Sequence, residues 1–382
     1  MIPSFDFVLV AIFVPLQWCI TLRLLRLAHR RLLARAAVLL LDASLAVGLV
    51  FNFSDLFGRL EMGGTAFTLI GGVTLVYLLS SLAVAAVWTA MRAVRKHLDA
   101  DVNPGRRRAL NTAGGILMGA PFAVLGYGAL VQRTDFRVRE LDVPLHGLPE
   151  DLDGLRVLQL SDIHLSAFLS EAELARVIDA SLELRPHLAV VTGDLISQRG
   201  DPLDACIRQL ARVKADAGVF GCLGNHERYA HVERYATEAA ARVGIRFLRG
   251  AAQPLRFGSA VLNLAGVDYQ SKSDHRPYLR GAERLVVPGA VNLLLSHNPD
   301  VFPIAARQGY NCLLAGHTHG GQITVEILDE SINPARFFTP FVYGLYRVGK
   351  SAAYVTRGIG TIGIPARIGA PPEISVLRLR KA

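Results

Sequence analysis

Five short apolar runs in this chain each end in side chains that can bind a metal ion. The runs have the length and composition of buried strands and span residues 157–160, 188–191, 219–223, 291–295 and 312–315. The polar residues that follow them are Asp162, His164, Asp194, Asn225, His297, His317 and His319. Because α/β sheets place their ligands at the carboxyl ends of strands, we expect these seven side chains to meet at one edge.

The number and type of these donors indicate two metal ions. Seven donors exceed the four ligands of a single tetrahedral zinc ion. They suit two divalent ions that share a bridging carboxylate, an arrangement that clamps phosphorus during in-line displacement. Mixed imidazole and carboxylate ligands favour manganese, zinc, iron or cobalt over calcium or magnesium. We therefore predict two divalent ions, with manganese, zinc and iron as the candidates.

The order of these motifs resembles that of the calcineurin-like metallophosphoesterase superfamily. The matching segments are Asp162-x-His164, Gly193-Asp194, Gly224-Asn225-His226-Glu227, His297 and Gly316-His317-x-His319. The resemblance spans about residues 135–380, and the surroundings of the last two motifs look like the bacterial branch of membrane-linked or exported phosphoesterases. It implies an α/β fold, a layered two-sheet β-sandwich flanked by helices.

The resemblance also implies a role for each residue. One metal would be held by Asp162, His164 and His319, the other by Asn225, His297 and His317, and Asp194 would bridge them. His226 would be no ligand but would approach the scissile phosphate, stabilising charge or protonating the leaving oxygen. A metal-bound hydroxide would be the nucleophile, because metals lower the pKa of water. Further candidates for substrate contact are Arg367, Phe338 and Phe341.

The front of the chain carries four long apolar segments, at about 5–25, 36–57, 66–91 and 112–131. Each approaches the ~20 residues that a membrane-spanning helix needs. Buried core helices are the alternative, and Asp42 weakens the second segment. We predict an all-α transmembrane region at 1–132 and a metallophosphoesterase domain at 133–382.

The arginines between these segments predict an orientation. Clusters follow the first segment (Arg23 to Arg35) and the third (Arg92 to Arg108), whereas the link between the second and third holds only Arg59. Since positively charged loops stay in the cytoplasm, both termini and the phosphoesterase domain should lie outside. The predicted location is the cell inner membrane, multi-pass, with an extracytoplasmic catalytic domain. The net charge of +9 is interpreted as this orientation signal, so no nucleic acid partner is expected.

These features predict a membrane-anchored phosphoesterase, with a membrane lipid as one candidate substrate. The family resemblance implies a phosphodiester or pyrophosphate rather than a simple monoester. The aromatic residues between Phe337 and Tyr346 predict either a packed sheet edge or an apolar rim that holds an acyl chain. One alternative is a cytoplasm-facing hydrolase of a nucleotide-lipid or cyclic nucleotide. Another is a non-catalytic metal-binding membrane sensor, which the loss of a ligand or of His226 would mark; neither is lost.

Local signals predict the remaining elements. Residues 171–184 form a helix with Ser170 as its N-cap and Glu173 completing a capping box. The other predicted helices and strands are helices 203–214, 230–243 and 300–308, and strands 136–141, 245–248, 255–257, 260–266, 352–356 and 374–380.

Overall fold

The computed structural model describes residues 5–53, 65–97, 104–327 and 330–382. The chain divides into two compact units with the boundary between Leu130 and Val131, and Gly363–Ala366 group with the first unit. In the described part of the first unit, four helices are long and apolar enough to cross a membrane. They are α1 (Phe5–Leu27), α2 (Leu32–Phe53), α3 (Thr65–His97) and α4 (Pro104–Leu130). The four segments are therefore confirmed as helices, although 54–57 lie outside the described residues.

Polar residues inside these helices find partners on neighbouring helices. Asp42 of α2 accepts hydrogen bonds from Gln17 Nε2 (3.0 Å) and Thr21 Oγ1 (2.7 Å) of α1. Asn52 donates to the carbonyl of Gly71 on α3 at 3.0 Å. Because an unpaired polar group is costly in lipid, these contacts explain how Asp42 is tolerated in an apolar segment.

The second unit contains two six-stranded mixed sheets, which confirms the predicted two-sheet architecture. The first sheet has the order β1-β14-β2-β3-β4-β5 and the second β12-β13-β9-β8-β7-β6. Strands of the first sheet are β1 (Arg137–Leu145), β14 (Glu373–Lys381), β2 (Arg156–Leu160), β3 (Leu188–Thr192), β4 (Val219–Cys222) and β5 (Ile245–Phe247). Strands of the second are β12 (Gly344–Val348), β13 (Ser351–Val355), β9 (Cys312–Ala315), β8 (Val291–Leu295), β7 (Ala260–Gly266) and β6 (Ala251–Phe257).

The two sheets pack face to face through alternate residues of their strands. Val157 of β2 and Val190 of β3 meet Leu293 of β8 and Leu314 of β9 in one fully buried cluster. The intervening residues face outward, as the period of two in a strand requires. Leu158 of β2, for example, packs in a separate core with the helices that cover the first sheet. Burial of each such side chain contributes about 1.5–3 kcal/mol.

Helices cover the outer faces. The first sheet is covered by α5 (Glu171–Glu183), α6 (Leu203–Leu210) and α8 (Glu233–Arg242), and the second by α9 (Phe302–Gln308). The predicted capping box is confirmed, since Ser170 accepts from the backbone of Glu173 and the Glu173 carboxylate accepts from Ser170. The sequence did not predict the short helix α7 (Asn225–Tyr229), the strand β12 or the hairpin of β10 (Val325–Ile327) and β11 (Glu330–Ile332).

Parallel pairing brings the carboxyl ends of the central strands to one edge of each sheet. β2, β3, β4 and β5 are parallel neighbours in the first sheet. β7, β8, β9 and β13 are parallel neighbours in the second. The loops after β2, β3, β4, β8 and β9, which carry the predicted ligands, therefore lie together.

Candidate metal centre

The structure gathers six of the predicted ligands into two groups. Potential ligand atoms of Asp162, His164 and His319 lie within 4.8 Å of one another, and those of Asp194, His297 and His317 do the same. These six residues come from four loops and from both sheets. The seventh, Asn225, is buried at the start of α7.

Asp194 lies between the two groups. Its Oδ2 is 3.5 Å from His164 Nε2 on one side and 2.9 Å from His297 Nε2 on the other. Its Oδ1 accepts a hydrogen bond from the backbone N–H of His226 at 2.9 Å, which fixes the carboxylate plane. A single carboxylate oxygen thus contacts members of both groups, the position required of a ligand shared by two ions.

Several buried polar atoms have no hydrogen-bond partner, and their chemistry fits metal ions. These atoms are Oδ2 of Asp162, Oδ1 of Asn225 and Nε2 of His297. Nε2 of His297 is close to Asp194 without hydrogen-bond geometry, as two ligands of one ion would be. Nε2 of His319 and Nε2 of His164 face each other at 3.2 Å. Because leaving such atoms unpaired costs free energy, a cation is the group that would satisfy them.

The electrostatics of the site also favour cations. Burial alone would lower the pKa of His297, but the charges of Asp194 and Asp162 outweigh it and raise the pKa to about 10. Burial lowers the pKa of His317 to about 4 and lowers that of His319 well below its usual value. The carboxylates therefore draw positive charge to the centre, while two imidazoles stay neutral and can act as ligands.

Five of the predicted ligands adopt a strained backbone conformation. Their φ angles are positive: 50° for Asp162, 47° for His164, 56° for Asp194, 76° for His317 and 52° for His319. Non-glycine residues rarely occupy this region, and each such residue costs about 1–3 kcal/mol. The concentration of strain in these loops indicates that the surrounding structure holds the side chains in place for a function.

Glycines allow the loops to approach these carboxylates. A Cβ atom on Gly224 would lie 2.1 Å from Asp194 Oδ1, and one on Gly316 would lie 2.3 Å from Asp162 Oδ2. Side chains at either position would displace a ligand, so glycine is required there for contact rather than for flexibility.

Glu227 holds the backbone of two ligand-bearing loops in place, a role that the sequence did not indicate. Its fully buried carboxylate accepts hydrogen bonds from the backbone N–H groups of Asp194 (3.0 Å), Leu195 (2.7 Å) and Gly224 (2.8 Å). Burial and the charge of Asp194 raise its pKa. Its place in the Gly-Asn-His-Glu motif was the signal that could have identified it.

His226 lies beside the first group. Nδ1 of His226 is 2.5 Å from the carbonyl oxygen of Ser197, to which it would donate. Its ring meets that of His164 edge to face at 4.7 Å, and it also lies within ligand distance of His164 and Asp194. The residue is partly exposed, unlike the buried candidate ligand His164.

Arg367, a predicted substrate contact, lies in the interior of the phosphoesterase unit. The side chain is fully buried, and its guanidinium donates to the backbone carbonyls of Gly360 (3.0 Å), Ala370 (3.0 Å) and Arg357 (2.9 Å). It also approaches Nδ1 of His319 at 3.4 Å. Because its donors are directed at these buried carbonyls, Arg367 occupies a supporting position behind His319. The prediction that it contacts a substrate is corrected accordingly.

The two candidate phenylalanines are separated by the structure. Phe338 is 62% exposed and lines a cleft of about 540 Å³ together with His317 and Phe337. Phe341 instead packs edge to face against Phe302 and Tyr346 in the core of the second sheet. Of the two, only Phe338 is placed to meet a substrate, because the ring of Phe341 is held in the core.

Two tyrosines that the sequence did not identify border the centre. The ring of Tyr269 lies 5.4 Å from that of His317 and 6.0 Å from that of His297. The ring of Tyr229 lies 5.7 Å from that of His226. Burial raises the pKa of Tyr269, so its hydroxyl stays protonated. Neither tyrosine belongs to a motif, so only their tertiary position identifies them.

Comparison with known proteins agrees with this geometry. Residues 155–321 match the calcineurin-like phosphoesterase family. The "Transmembrane protein with metallophosphoesterase domain" of Danio rerio is 32% identical over 273 residues, 67% of this chain and 60% of its own length. Its Bos taurus counterpart is 28% identical over 312 residues, 77% of this chain and 67% of its own length. "Phosphodiesterase YaeI" of Escherichia coli is 28% identical over 227 residues, 59% of this chain and 82% of its own length.

The matched region covers the loops after β2, β3, β4, β8 and β9, and the two vertebrate relatives are named as transmembrane proteins, in line with the four apolar helices. This chain is a membrane protein of the calcineurin-like phosphoesterase family.

Proposed function

We propose that this protein is a membrane-anchored phosphoesterase that works with two divalent metal ions. The observation that carries the proposal is the shared oxygen of Asp194, which contacts His164 and His297 in different ligand groups. Asp162, His164 and His319 would hold one ion, and Asn225, His297 and His317 the other. The ions, when bound, would supply Lewis-acid activation of water and of the phosphoryl oxygens.

His226 is proposed to act on the substrate. Its Nδ1–H is held by the carbonyl of Ser197, which fixes the ring and leaves Nε2 for the substrate. A protonated His226 can then donate from Nε2 to the leaving oxygen or to the charge that develops on the phosphoryl group. Glu227 and Arg367 would keep the ligand loops in position without contacting the substrate.

A phosphodiester or pyrophosphate is the favoured substrate class. The E. coli relative is named a phosphodiesterase, which supports a diester. A membrane lipid that carries such a group is proposed because Phe337 and Phe338, which are 86% and 62% exposed, line the same cleft as His317. The covalent link to apolar helices would raise the local concentration of a lipid relative to a soluble ester.

We further propose that the phosphoesterase unit lies outside the cytoplasm of a cell with an inner membrane. The arginine-rich links after α1 and α3 support this orientation. A cytoplasm-facing hydrolase of a nucleotide-lipid or cyclic nucleotide would require the opposite orientation. A non-catalytic sensor is disfavoured because no predicted ligand is missing and His226 is present.

The test is hydrolysis by the purified full-length chain in detergent, reconstituted separately with Mn²⁺, Zn²⁺ or Fe²⁺. We expect release of p-nitrophenol from bis(p-nitrophenyl) phosphate faster than from p-nitrophenyl phosphate, and loss of both activities in His297→Ala. A folded protein that binds metal but hydrolyses neither ester, nor phospholipid in vesicles, would support the sensor instead.

The lipid part of the proposal has its own test. The double variant Phe337→Ser/Phe338→Ser should lower turnover of phospholipid in vesicles more than turnover of the chromogenic diester. Tyr235→Ser is the matched control, because Tyr235 is an exposed aromatic residue on α8. Equal losses on both substrates would show that the two phenylalanines serve the structure alone.

A further inference from the structure

A cleft of about 980 Å³ lies next to the candidate metal centre, within the phosphoesterase unit. Its wall is formed by the loop between β7 and β8 and by Arg228 of α7. We call it the arginine cleft, because its lining includes Arg228, Arg276, Arg280 and Arg284. Neither the motif pattern nor the metal centre accounts for this surface.

The arginine cleft carries excess positive charge. Its lining holds four arginines and two carboxylates, Asp274 and Glu283, so its net charge is +2. Asp274 is already engaged, since it accepts two hydrogen bonds from Arg228, at 3.0 and 2.8 Å. This pair lowers the pKa of Asp274 to about 2, so the carboxylate stays ionised.

Arg276 and Arg280 remain for a ligand. Both are exposed, and among the residues that the structure describes neither forms an ion pair with a carboxylate. The charge of Arg276 contributes to the low pKa of Asp274 without direct pairing. Guanidinium groups match the geometry of phosphate and carboxylate oxygens and bind them through paired hydrogen bonds.

Tyr269 connects the arginine cleft to the site of reaction. It lines this cleft and also the cleft that contains His317. Its ring contacts the rings of the candidate ligands His297 and His317, at centroid distances of 6.0 and 5.4 Å. Arg228 follows His226 by two residues on α7. A substrate held at the metal centre can therefore extend past Tyr269 to the arginines.

We infer that the substrate carries a second anionic group, a phosphate or carboxylate distinct from the scissile phosphoester, and that Arg276 and Arg280 bind it in the arginine cleft. The inference rests on the proposed function and narrows its substrate class. The second group can belong to the headgroup of a lipid or to a soluble phosphoester. Arg276 and Arg280 are thus specificity-determining residues, whereas Arg228 and Asp274 shape the wall.

The experiment compares matched pairs of substrates that differ only in the second anion. The soluble pair is p-nitrophenyl propyl phosphate and p-nitrophenyl 3-phosphopropyl phosphate, followed by release of p-nitrophenol. The vesicle pair is phosphatidylinositol and phosphatidylinositol 4-phosphate, followed by release of the water-soluble headgroup. We expect the full-length wild type to prefer the doubly anionic member, with a preference that weakens as salt is raised.

The variant Arg276→Gln/Arg280→Gln should reduce this preference, measured as the ratio of kcat/KM values, by about tenfold, the scale of two exposed charge contacts. Arg234→Gln is the control, because Arg234 is 90% exposed on α8 and outside the cleft. If the preference for the doubly anionic substrate is seen only in vesicles, the second anion belongs to a lipid headgroup. If it is seen in both pairs, the cleft accepts the second anion from a lipid or from a soluble phosphoester.

An unchanged ratio in a variant that melts like the wild type would overturn the inference while leaving the phosphoesterase proposal intact. A wild type that hydrolyses the singly anionic member as well as the doubly anionic one would overturn it too. If the metal-loaded wild type hydrolyses none of the four substrates but does hydrolyse bis(p-nitrophenyl) phosphate, the inference alone fails. If it hydrolyses none of these esters, the proposed function fails, and the inference fails with it.

Discussion

Replacing Arg367 by methionine tests whether this residue supports the structure or contacts the substrate. Methionine has similar length but no hydrogen-bond donors. The change removes the donors to the carbonyls of Gly360 (3.0 Å), Ala370 (3.0 Å) and Arg357 (2.9 Å) in a fully buried environment. In the described part of the chain no carboxylate forms an ion pair with this guanidinium, so the carbonyls are its main partners.

The magnitude follows from these contacts. Each buried acceptor left without a partner costs about 1–3 kcal/mol. Part of that loss is offset because a buried guanidinium is itself costly, as shown by the lowering of the Arg367 pKa to about 10 by burial. Three carbonyls left without a donor, less the relief from the buried guanidinium, give a net loss of about 3–5 kcal/mol. For a unit of this size, each kcal/mol lowers Tm by about 2–4 °C, so Arg367→Met should lower it by about 6–20 °C.

The same change should weaken metal binding. Arg367 holds the carbonyl of Gly360, whose N–H donates to the carbonyl of the candidate ligand Asp162 at 2.7 Å. Loosening this loop moves Asp162 and also His319, which Arg367 approaches directly. We therefore expect lower metal content as well as lower stability.

Differential scanning calorimetry of the full chain in detergent is the suitable assay. The two tryptophans, Trp18 and Trp88, lie in α1 and α3, so their fluorescence would report on the wrong unit. Arg208→Met, on the exposed face of α6, is the control and should change the free energy of unfolding by less than about 0.5 kcal/mol. A variant with normal Tm and metal content but a raised KM would refute this reasoning and restore the predicted substrate contact.

Three further predictions follow from the site and the helices. Asp194→Asn should lose more metal than Asn225→Ala, because one oxygen of Asp194 lies close to imidazoles of both ligand groups; elemental analysis that finds both ions in Asp194→Asn would contradict the bridging role. His226→Ala should keep both ions while kcat falls by about 10²–10⁴, and loss of an ion would make His226 a ligand instead. A reporter that is active only outside the cytoplasm should be active after Ala382 and silent at Asn103, and the reverse pattern would place the phosphoesterase unit inside.

The sequence alone determined which residues end the central strands. Hydrophobic runs such as 157–160 and 291–295 form strands because alternate residues pack into cores on opposite faces of a sheet. The residue types that follow them match those that metal chemistry selects, which tolerates few substitutions. The helix after Ser170 could also be predicted from local sequence, because its capping box lies within four residues.

Local patterns did not suffice where contacts join distant segments. Arg367 looked like a phosphate ligand because a lone arginine in a loop carries no information about burial, and only the packed loops around it show that its donors are taken by carbonyls. Phe338 and Phe341 are three residues apart, yet one is exposed in a cleft and the other is held by Phe302 and Tyr346.

The tertiary structure also decided which residues surround the candidate metal centre. Glu227 accepts hydrogen bonds from the N–H groups of Asp194 and Leu195, which are 33 and 32 residues away in the chain. Tyr269 and the arginine cleft belong to a loop with no ligand motif, which reaches the centre only because β7 and β8 are neighbours in the second sheet. Metal ligands leave a signal in the sequence because their chemistry restricts residue type. The residues that position them, or that select a substrate, act through distance and burial, which only the packing of the two sheets defines.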